Sequence, residues 1–351
     1  MSTRSVPADR SAVLGVAGGA GDRGRGAETP LDVPAKGWRD VWARVRVESK
    51  DDQLVLLAGG VAFFALIAVV PGLVALVSLF GLVADPAEVQ RQVTDNLSAA
   101  PAEVRDLVTE QLEGIAAAST TGLGIGLVAG IALALWSASS GMKNLIAAIN
   151  RVYDERESRS FIPRRALALC LTIGAVLFLV IAFLVVTIVP AALEDSALGP
   201  VARWTVAILR WPALALCWIG GLAVLYRLGP DRQDPKWRWV TPGSIVATVL
   251  WLVASLAFSA YTAGFAAYDE TYGTLGAMVI TMLWLQLTAL AILIGAEINS
   301  ELEHQTAMDS TTGADRPLGQ RGAVMADTIG APAEQLKPGP AERGVATGPT
   351  G

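Results

Sequence analysis

Two polar side chains interrupt the last apolar stretch of the chain, Gln286 and Glu297. Residues 274–296 carry no charged side chain, and a helix of that length crosses the roughly 30 Å hydrocarbon core of a bilayer. Gln286 lies near the middle of this helix, and at about 100° per residue Glu297 returns to the same face. Because lipid cannot satisfy an amide or a carboxylate, we expect this face to point toward other helices, where it could bind the polar part of a solute.

A second set of polar residues lies at the end of an earlier apolar stretch, residues 122–142. Ser137, Ser140 and Asn144 continue one side of that predicted helix. Two interpretations fit them: hydrogen bonds between helices, or a contribution to a path for a solute. Both interpretations place these side chains in the interior of a helix bundle, together with the polar face of the last span.

Residues for metal-dependent or nucleophilic catalysis are scarce. The chain has one histidine, His304, and two cysteines, Cys170 and Cys217, which both fall inside apolar stretches. These residues cannot assemble a zinc site with the usual ligands, and no disulfide is expected between the cysteines. Phosphodiester hydrolysis needs a metal cluster or a His/Lys acid–base pair, and RNA binding needs an extended basic face. We therefore predict no catalytic residue, no cofactor, no metal and no nucleic-acid partner.

The composition indicates an integral membrane protein. Hydrophobic residues make up 53% of the chain and charged residues 17%, with a mean hydropathy of +0.48. We predict an all-α polytopic membrane protein, with a six-helix membrane domain at 36–303 between disordered tails at 1–35 and 304–351. The predicted transmembrane spans are about 54–83, 122–142, 166–189, 204–226, 242–264 and 274–298.

The segments around the first span have patterns of their own. Residues 36–50 fit two interpretations: a short amphipathic helix in the headgroup plane, with its basic side toward anionic lipid, or a plain juxtamembrane linker. Pro71 removes a backbone hydrogen bond and Gly72 follows it, so we expect a kink there, either a fixed bend or a gating hinge. Residues 85–118 have apolar residues at helical spacing and acidic polar faces, which predicts amphipathic extracytoplasmic helices between the first two spans.

Small residues recur every four positions in the second span, at Gly122, Gly126 and Gly130. In lipid, helices associate by close packing, and small residues allow two backbones to approach each other. This pattern predicts that the second span lies in the centre of the bundle.

The distribution of Lys and Arg predicts the orientation in the membrane. Basic residues cluster in four regions: before the first span, between the second and third, between the fourth and fifth, and after the sixth. The opposite ends of the spans carry only Arg91, Arg105, Arg203 and Arg210. Under the positive-inside rule, both termini are expected in the cytoplasm, with residues 85–118 on the outer side.

Several motifs occur in a fixed order along the chain: Gly60-Val-Ala-Phe-Phe-Ala-Leu, Pro71-Gly, Asn150-Arg-Val-Tyr153, Tyr226-Arg-Leu-Gly-Pro-Asp, Val240-Thr-Pro-Gly243, Tyr272-Gly-Thr-Leu-Gly-Ala and Leu293-Ile-Gly-Ala-Glu-Ile-Asn299. With them the chain resembles the YihY/BrkB family of bacterial inner-membrane proteins over roughly residues 40–303. The resemblance implies a six-helix protein of the cytoplasmic membrane. It also brings labels of virulence, envelope-component export and an older ribonuclease name, without agreed catalytic residues.

Two functions fit these observations. One is a transporter or flippase that exports a lipid or another amphipathic envelope component, with membrane lipids and the substrate as partners. The other is a membrane scaffold that supports envelope integrity, in which the buried polar residues only tie helices together. Glu297 lies too near the end of its span for the sequence to identify it as a proton carrier, and no oligomeric state is predicted.

Overall fold

The structure is a computed structural model of the chain, and it describes residues 23–81, 124–188, 200–263 and 266–336. The described residues are helical, with a short 3₁₀ turn at Pro30–Asp32 and no named strand. The helices are α1 (Ala35–Asp51), α2 (Leu54–Gly81), α3 (Gly124–Val152), α4 (Phe161–Phe183, continued by a π-helical turn at Leu184–Ile188), α5 (Pro200–Leu228), α6 (Trp237–Ala263), α7 (Ala266–Glu303) and the short α8 (Val324–Asp327).

The predicted all-α polytopic membrane fold is confirmed. Four stretches in the described residues are long and apolar enough to cross a membrane: Phe161–Val186, Trp204–Leu228, Trp237–Thr262 and Met278–Glu303. Helices α1 and α2 qualify together as a fifth stretch with a bend between them. The predicted second span begins outside the described residues and continues in α3, and the predicted outer segment at 85–118 lies entirely outside them.

Buried residues are concentrated at one end of the bundle, where five helices meet. The core there contains Leu54 of α2, Ile149 of α3, Tyr226 of α5, Val240 of α6 and Leu293 of α7. Farther along the helices, large apolar side chains are exposed on the outside of the bundle, including Leu133, Trp204 and Leu256. This arrangement suits a bilayer, because hydrocarbon solvates the apolar exterior that water would exclude.

The same end of the bundle carries the loops with basic residues, and we call it the charged end. The loop after α3 and the loop after α5 meet there, because Asn150 accepts a hydrogen bond from the backbone N–H of Asp231 at 2.7 Å. Asp231 in turn accepts hydrogen bonds from the backbone and hydroxyl of Ser158. Burial raises the pKa of the Asp231 carboxyl, but the hydrogen bonds from Ser158 outweigh it, so the pKa is lowered overall.

Both terminal segments are ordered where the structure describes them, and together they form a cap on the charged end (residues 23–34 and 304–336, the terminal cap). Arg23 forms an ion pair with Asp40 of α1 at 2.7 Å. The backbone carbonyl of Arg25 accepts a hydrogen bond from the Ala307 N–H, and the Arg25 guanidinium donates to the Gly330 carbonyl. The prediction of disordered tails is therefore wrong for these residues, whereas 1–22 and 337–351 lie outside the described residues.

The physical reason is that hydrogen bonds, more than an apolar core, order the terminal cap. The buried guanidinium of Arg321 donates to the Ala307 and Ala326 carbonyls, each at 2.6 Å. Burial lowers the pKa of Arg321, although Asp309 opposes this shift. A polar, glycine-containing composition predicts disorder only when such specific contacts are absent.

Helix α1 packs on the protein and does not present its basic side to lipid as predicted. Val41 and Val45 are buried against Trp239, Ile298 and Leu302. Arg44, expected among the lipid-facing basic residues, is 2% exposed. Since it forms a buried ion pair with α7, described below, its charge serves helix packing instead.

The sharp bend lies before α2, away from the predicted hinge. Helices α1 and α2 are inclined by 61° at a short break, where Gln53 has a φ of +53°. Left-handed backbone is uncommon for a residue with a side chain, so the break is a constrained position. Helix α2 itself runs as one helix through Pro71 and Gly72. A hinge at Pro71 stays a prediction.

The close helix contact in α3 occurs later than the glycine pattern predicts. Gly130 is exposed, and a Cβ placed on it would meet nothing within 4 Å. Closer to the charged end, Gly141 is buried, and its Cβ would lie 3.3 Å from the Cβ of Ala68 in α2. The prediction is wrong at Gly130, because the close approach of α3 to α2 occurs at Gly141, about three turns farther along the helix. Gly122 lies outside the described residues, and for Gly126 only its helical backbone is described.

Candidate functional site

The last two turns of α7 form a buried and strongly polar segment of the described structure. Glu297, Glu301 and Glu303 are all at most 1% exposed, and Asn299 and Ser300 between them are fully buried. Three carboxylates in two turns of a buried helix end are costly unless positive charge or hydrogen bonds compensate them. Their partners therefore decide what each of them does.

Glu301 and Glu303 are compensated by arginines from distant parts of the chain. Arg44 of α1 donates from Nε to the Glu301 carboxylate and from Nη2 to the Glu301 carbonyl at 3.0 Å. Arg232, in the loop after α5, donates to Glu303 Oε1 at 2.6 Å, and Ser310 donates to Oε2 at 2.8 Å. Both carboxylates therefore join α7 to other segments at the charged end.

The ion pair between Arg232 and Glu303 is fully buried, because neither side chain has any exposed surface. The guanidinium of Arg232 also lies 4.3 Å from the ring centre of Tyr153. Burial would lower the pKa of Arg232, but the Glu303 carboxylate outweighs it and raises the pKa. Burial raises the pKa of the Tyr153 hydroxyl. Arg232 therefore stays charged and Tyr153 stays neutral at neutral pH.

Glu297 has no such compensation. It is 0% exposed, and neither carboxylate oxygen has a hydrogen-bond partner among the described residues. The charged groups that act on it most strongly are other carboxylates, those of Glu301, Asp52 and Glu48. An unpaired carboxylate among like charges does not stabilise the packing of a membrane helix. Ionisable residues buried in this way are expected to have a function.

Asn299 fixes the position of this segment against α6. Its Oδ1 accepts from the Gly243 N–H at 2.7 Å, and its Nδ2 donates to the Val240 carbonyl at 3.0 Å. A Cβ on Gly243 would overlap the Gly295 carbonyl and Asn299, and a Cβ on Gly295 would lie 2.6 Å from the Gly243 carbonyl. The two glycines therefore let α6 and α7 touch backbone to backbone.

Tyr226 of α5 completes this contact by donating to the Ile292 carbonyl of α7 at 2.7 Å. A Cβ on Gly295 would also lie 2.6 Å from the Tyr226 hydroxyl oxygen. Tyr226, Gly243, Gly295 and Asn299 belong to motifs that are far apart in the chain, and they meet beside Glu297. The motifs therefore describe one helix junction.

Gln286 lies deeper in the bundle on the same side of α7 as Glu297. Its Nε2 is 3.5 Å from the Val55 carbonyl of α2, and Gly59 of α2 leaves room beside it. The amide is half-buried. Asp52, in the break just before α2, acts on Glu297, and the Val55 carbonyl of α2 lies beside Gln286. Both polar groups therefore face the contact between α2 and α7, which we call the α2–α7 seam.

The polar residues of α3 are distributed differently from the prediction. Ser137 is exposed, so its assignment to the bundle interior is wrong. Ser139, two residues later, lies about 200° farther around the helix and is the serine on the buried side. Asn144 is half-buried and donates to the Ser140 carbonyl within its own helix at 2.8 Å. Arg165 of α4 donates to the Ser140 hydroxyl at 3.4 Å. These contacts favour helix packing for the α3 residues.

Sequence reasoning missed the arginines that compensate α7. The sequence pattern assigns Arg44 to the basic side of segment 36–50 and Arg232 to the basic region between the fourth and fifth spans. Their partners lie 257 and 71 residues away, so no local spacing reveals the pairs. The one available signal was the excess of carboxylates after an apolar span, which requires positive charge from somewhere else in the fold.

The chain is similar to a known protein family and to several individual proteins. The family model of the virulence factor BrkB matches residues 45–318. The chain is 35% identical over 179 residues to the ribonuclease-like protein YfkH of Bacillus subtilis, a match that covers 49% of this chain and 64% of YfkH, just under two thirds. No solved structure matches the chain.

Two further relatives cover more of their length at lower identity. The UPF0761 membrane protein MS0032 of Mannheimia succiniciproducens is 23% identical over 72% of this chain and 86% of the relative. The UPF0761 membrane protein PSHAa0171 of Pseudoalteromonas translucida is 23% identical over 78% of this chain and 88% of the relative. With its all-helical membrane fold and a family match that covers most of its length, the chain belongs to the YihY/BrkB family of membrane proteins, the family of the virulence factor BrkB.

Proposed function

We propose that this protein moves an amphipathic, lipid-like envelope component across the bacterial cytoplasmic membrane. The observation that carries the proposal is Glu297, a fully buried carboxylate without a partner among the described residues, one turn before two carboxylates that are fully paired. A group that contributes no contact in the resting bundle is available for a ligand or an ion.

The α2–α7 seam is the proposed path for the polar part of the substrate. Gln286 supplies an amide at depth, and Gly59 leaves the space beside it open enough for a small polar group. Large apolar side chains on the outside of the bundle, such as Phe63 and Leu283, are exposed and could accompany the acyl chains in lipid. Lipid translocation requires a path for the polar headgroup within the protein while the acyl chains stay in the surrounding lipid.

The orientation is part of the proposal. The loops that the sequence marks as basic converge on one end of the bundle, where Arg44, Arg159 and Arg232 make their contacts. The positive-inside rule then favours a cytoplasmic location for the charged end and for the terminal cap.

The test is lipid translocation in proteoliposomes, with a fluorescent phospholipid whose outer-leaflet population is quenched chemically. We expect the Gln286→Leu/Glu297→Gln double variant to lower the initial rate at least about tenfold, which corresponds to roughly 1.4 kcal/mol in the barrier. Ser137→Ala, an exposed position on α3, is the matched control and is expected to keep the wild-type rate. Equal rates for the double variant and the wild type would overturn the proposal.

A scaffold function is the second candidate, and the contacts of Asn299 and Ser140 favour it. Asn299 hydrogen-bonds to Val240 and Gly243 of α6, and the Ser140 hydroxyl accepts from Arg165 of α4, so both side chains join neighbouring helices. Under this hypothesis the wild type moves no lipid in proteoliposomes. The Gln286→Leu/Glu297→Gln variant would then restore envelope integrity to cells that lack the protein.

No intrinsic nuclease is proposed, despite the ribonuclease-like name of YfkH. Phosphodiester cleavage needs a cluster of metal ligands or an acid–base pair. Among the residues that the structure describes, no three His, Cys, Asp or Glu side chains are arranged to hold a metal ion. The histidine of the chain, His304, lies beside Glu301 in the ion-paired charged end.

A further inference from the structure

We propose that Glu297 is a proton-binding site, whose carboxyl group holds a proton while buried and releases it when water enters at the break between α1 and α2. Proton binding itself does not depend on the transport activity. Only its use as the coupling step rests on the proposed function.

The geometry around Glu297 identifies the ligand. The carboxyl group has no exposure, no hydrogen-bond donor among the described residues, and carboxylates as its strongest charged neighbours. An ionised group in that position would be stabilised neither by water nor by positive charge, so burial favours the neutral acid. When the site takes up a proton, a hydronium ion transfers it to one carboxylate oxygen, which becomes a hydroxyl, and a water molecule remains.

A proton fits the site better than a metal cation does. Glu301 already accepts from Arg44, and Asp52 pairs with Arg151 at 2.9 Å, so both neighbours are engaged with arginines. A hard cation needs several oxygen ligands at once. In the described part of the chain no group of three ligating side chains has that arrangement.

The break between α1 and α2 is the route by which the proton reaches water. Asp52 lies in the break, where it acts electrostatically on Glu297 and pairs with Arg151, whose side chain is 61% exposed. The two helices diverge by 61° there, and Gln53 holds a left-handed backbone conformation. A small change in this bend would uncover the carboxyl group without separating the closely packed α6 and α7.

Several elements bring titratable and charged groups close to Glu297. They are Glu48 of α1, Asp52 of the break with its partner Arg151, Tyr153 and Asp154 after α3, Tyr226 of α5, Glu301 of α7 with its partners Arg44 and His304, and Arg232 beside Tyr153. The positive members of this set are each paired with another carboxylate or lie over an aromatic ring. The charge that Glu297 itself meets is therefore mainly negative.

Infrared difference spectroscopy on the full-length protein in lipid tests the proposal. We expect the wild type to show the carbonyl-stretch band of a protonated carboxylic acid at neutral pH, with the shift in D₂O that marks an exchangeable proton. The band should be lost in Glu297→Gln, which keeps the size and shape of the protonated acid. Glu334→Gln, at an exposed position of the terminal cap, should keep it.

A second variant keeps the test decisive if Glu297→Gln fails to fold. Asp52→Asn removes a neighbouring negative charge, so the band should disappear at a lower pH than in the wild type, because ionised Glu297 is then repelled less. A wild-type spectrum without the band at neutral pH, or a band that persists in Glu297→Gln, overturns the proton site. A wild type that shows the band but moves no lipid overturns the proposed transport and leaves the proton site intact.

Discussion

The two polar regions that α7 contributes to, the charged end and the α2–α7 seam, handle buried polar groups in opposite ways. At the charged end, Glu301 and Glu303 are enclosed by arginines and hydroxyls, and they join α7 to α1, to the loop after α5 and to the terminal cap. In the α2–α7 seam, Glu297 has no partner among the described residues and Gln286 has one long contact. The polar groups of the charged end hold segments of the protein together, whereas those of the seam make few contacts with the described protein.

This difference separates the residues that stabilise the bundle from those available for function. A buried ion pair adds little net stability compared with an apolar pair, but removing one member leaves a charge that nothing compensates. A buried carboxyl group without a partner gains nothing from its charge. Substitution should therefore harm the paired region most and the seam least, although activity should follow the reverse order.

The largest expected effect is at the Arg232–Glu303 pair. Replacing Arg232 with Ala leaves the Glu303 carboxylate buried with only the Ser310 hydroxyl, and we expect a loss of about 3–5 kcal/mol in the free energy of unfolding. The measurement is reversible unfolding in detergent micelles. Replacing both members with apolar residues, as in Arg232→Met/Glu303→Leu, should recover most of the loss. A single variant as stable as the wild type would break the comparison.

An intermediate effect is expected in the terminal cap when the pH is lowered. Burial raises the pKa of Asp309, but hydrogen bonds from Thr311 and the Arg316 N–H outweigh it and lower the pKa overall. A lowered folded-state pKa stabilises the cap at neutral pH, and this stabilisation is lost as the pH falls below the ordinary aspartate value of 3.8. Hydrogen exchange of residues 304–336 measures the loss.

Asp309→Asn is the matched control for that experiment. The amide retains the size of the carboxylate but not its charge, so the cap should be weaker at neutral pH and its protection should no longer depend on acid in this range. A cap whose protection falls with the same pH profile in the variant would show that another group, not Asp309, holds it.

The smallest expected effect on stability is at Glu297. Replacement by Gln removes no hydrogen bond and no ion pair among the described residues, so we expect the free energy of unfolding at neutral pH to change by less than about 0.5 kcal/mol. The same unfolding assay checks this expectation. Destabilisation comparable to that of Arg232→Ala would show that Glu297 is part of the cohesive region after all.

The composition and hydropathy were sufficient to predict the class of the fold. Apolar helices near the predicted spans, the shared face of Gln286 and Glu297, and the meeting of the basic loops at one end all follow from local patterns, because each depends on helical period or on residue type. The small-residue pattern was less informative. It indicated a close contact in α3, but the contact forms at Gly141 and not at Gly130.

Which polar residues form ion pairs and hydrogen bonds depends on the tertiary structure. The pairs Arg44–Glu301 and Arg232–Glu303, the order in the terminal cap and the junction of Gly243 with Gly295 all depend on segments far apart in the chain. The sequence by itself determined that charges had to be compensated inside a helical membrane protein. Which carboxylate would be left without compensation depended on how the helices pack, since long-range contacts carry no local spacing.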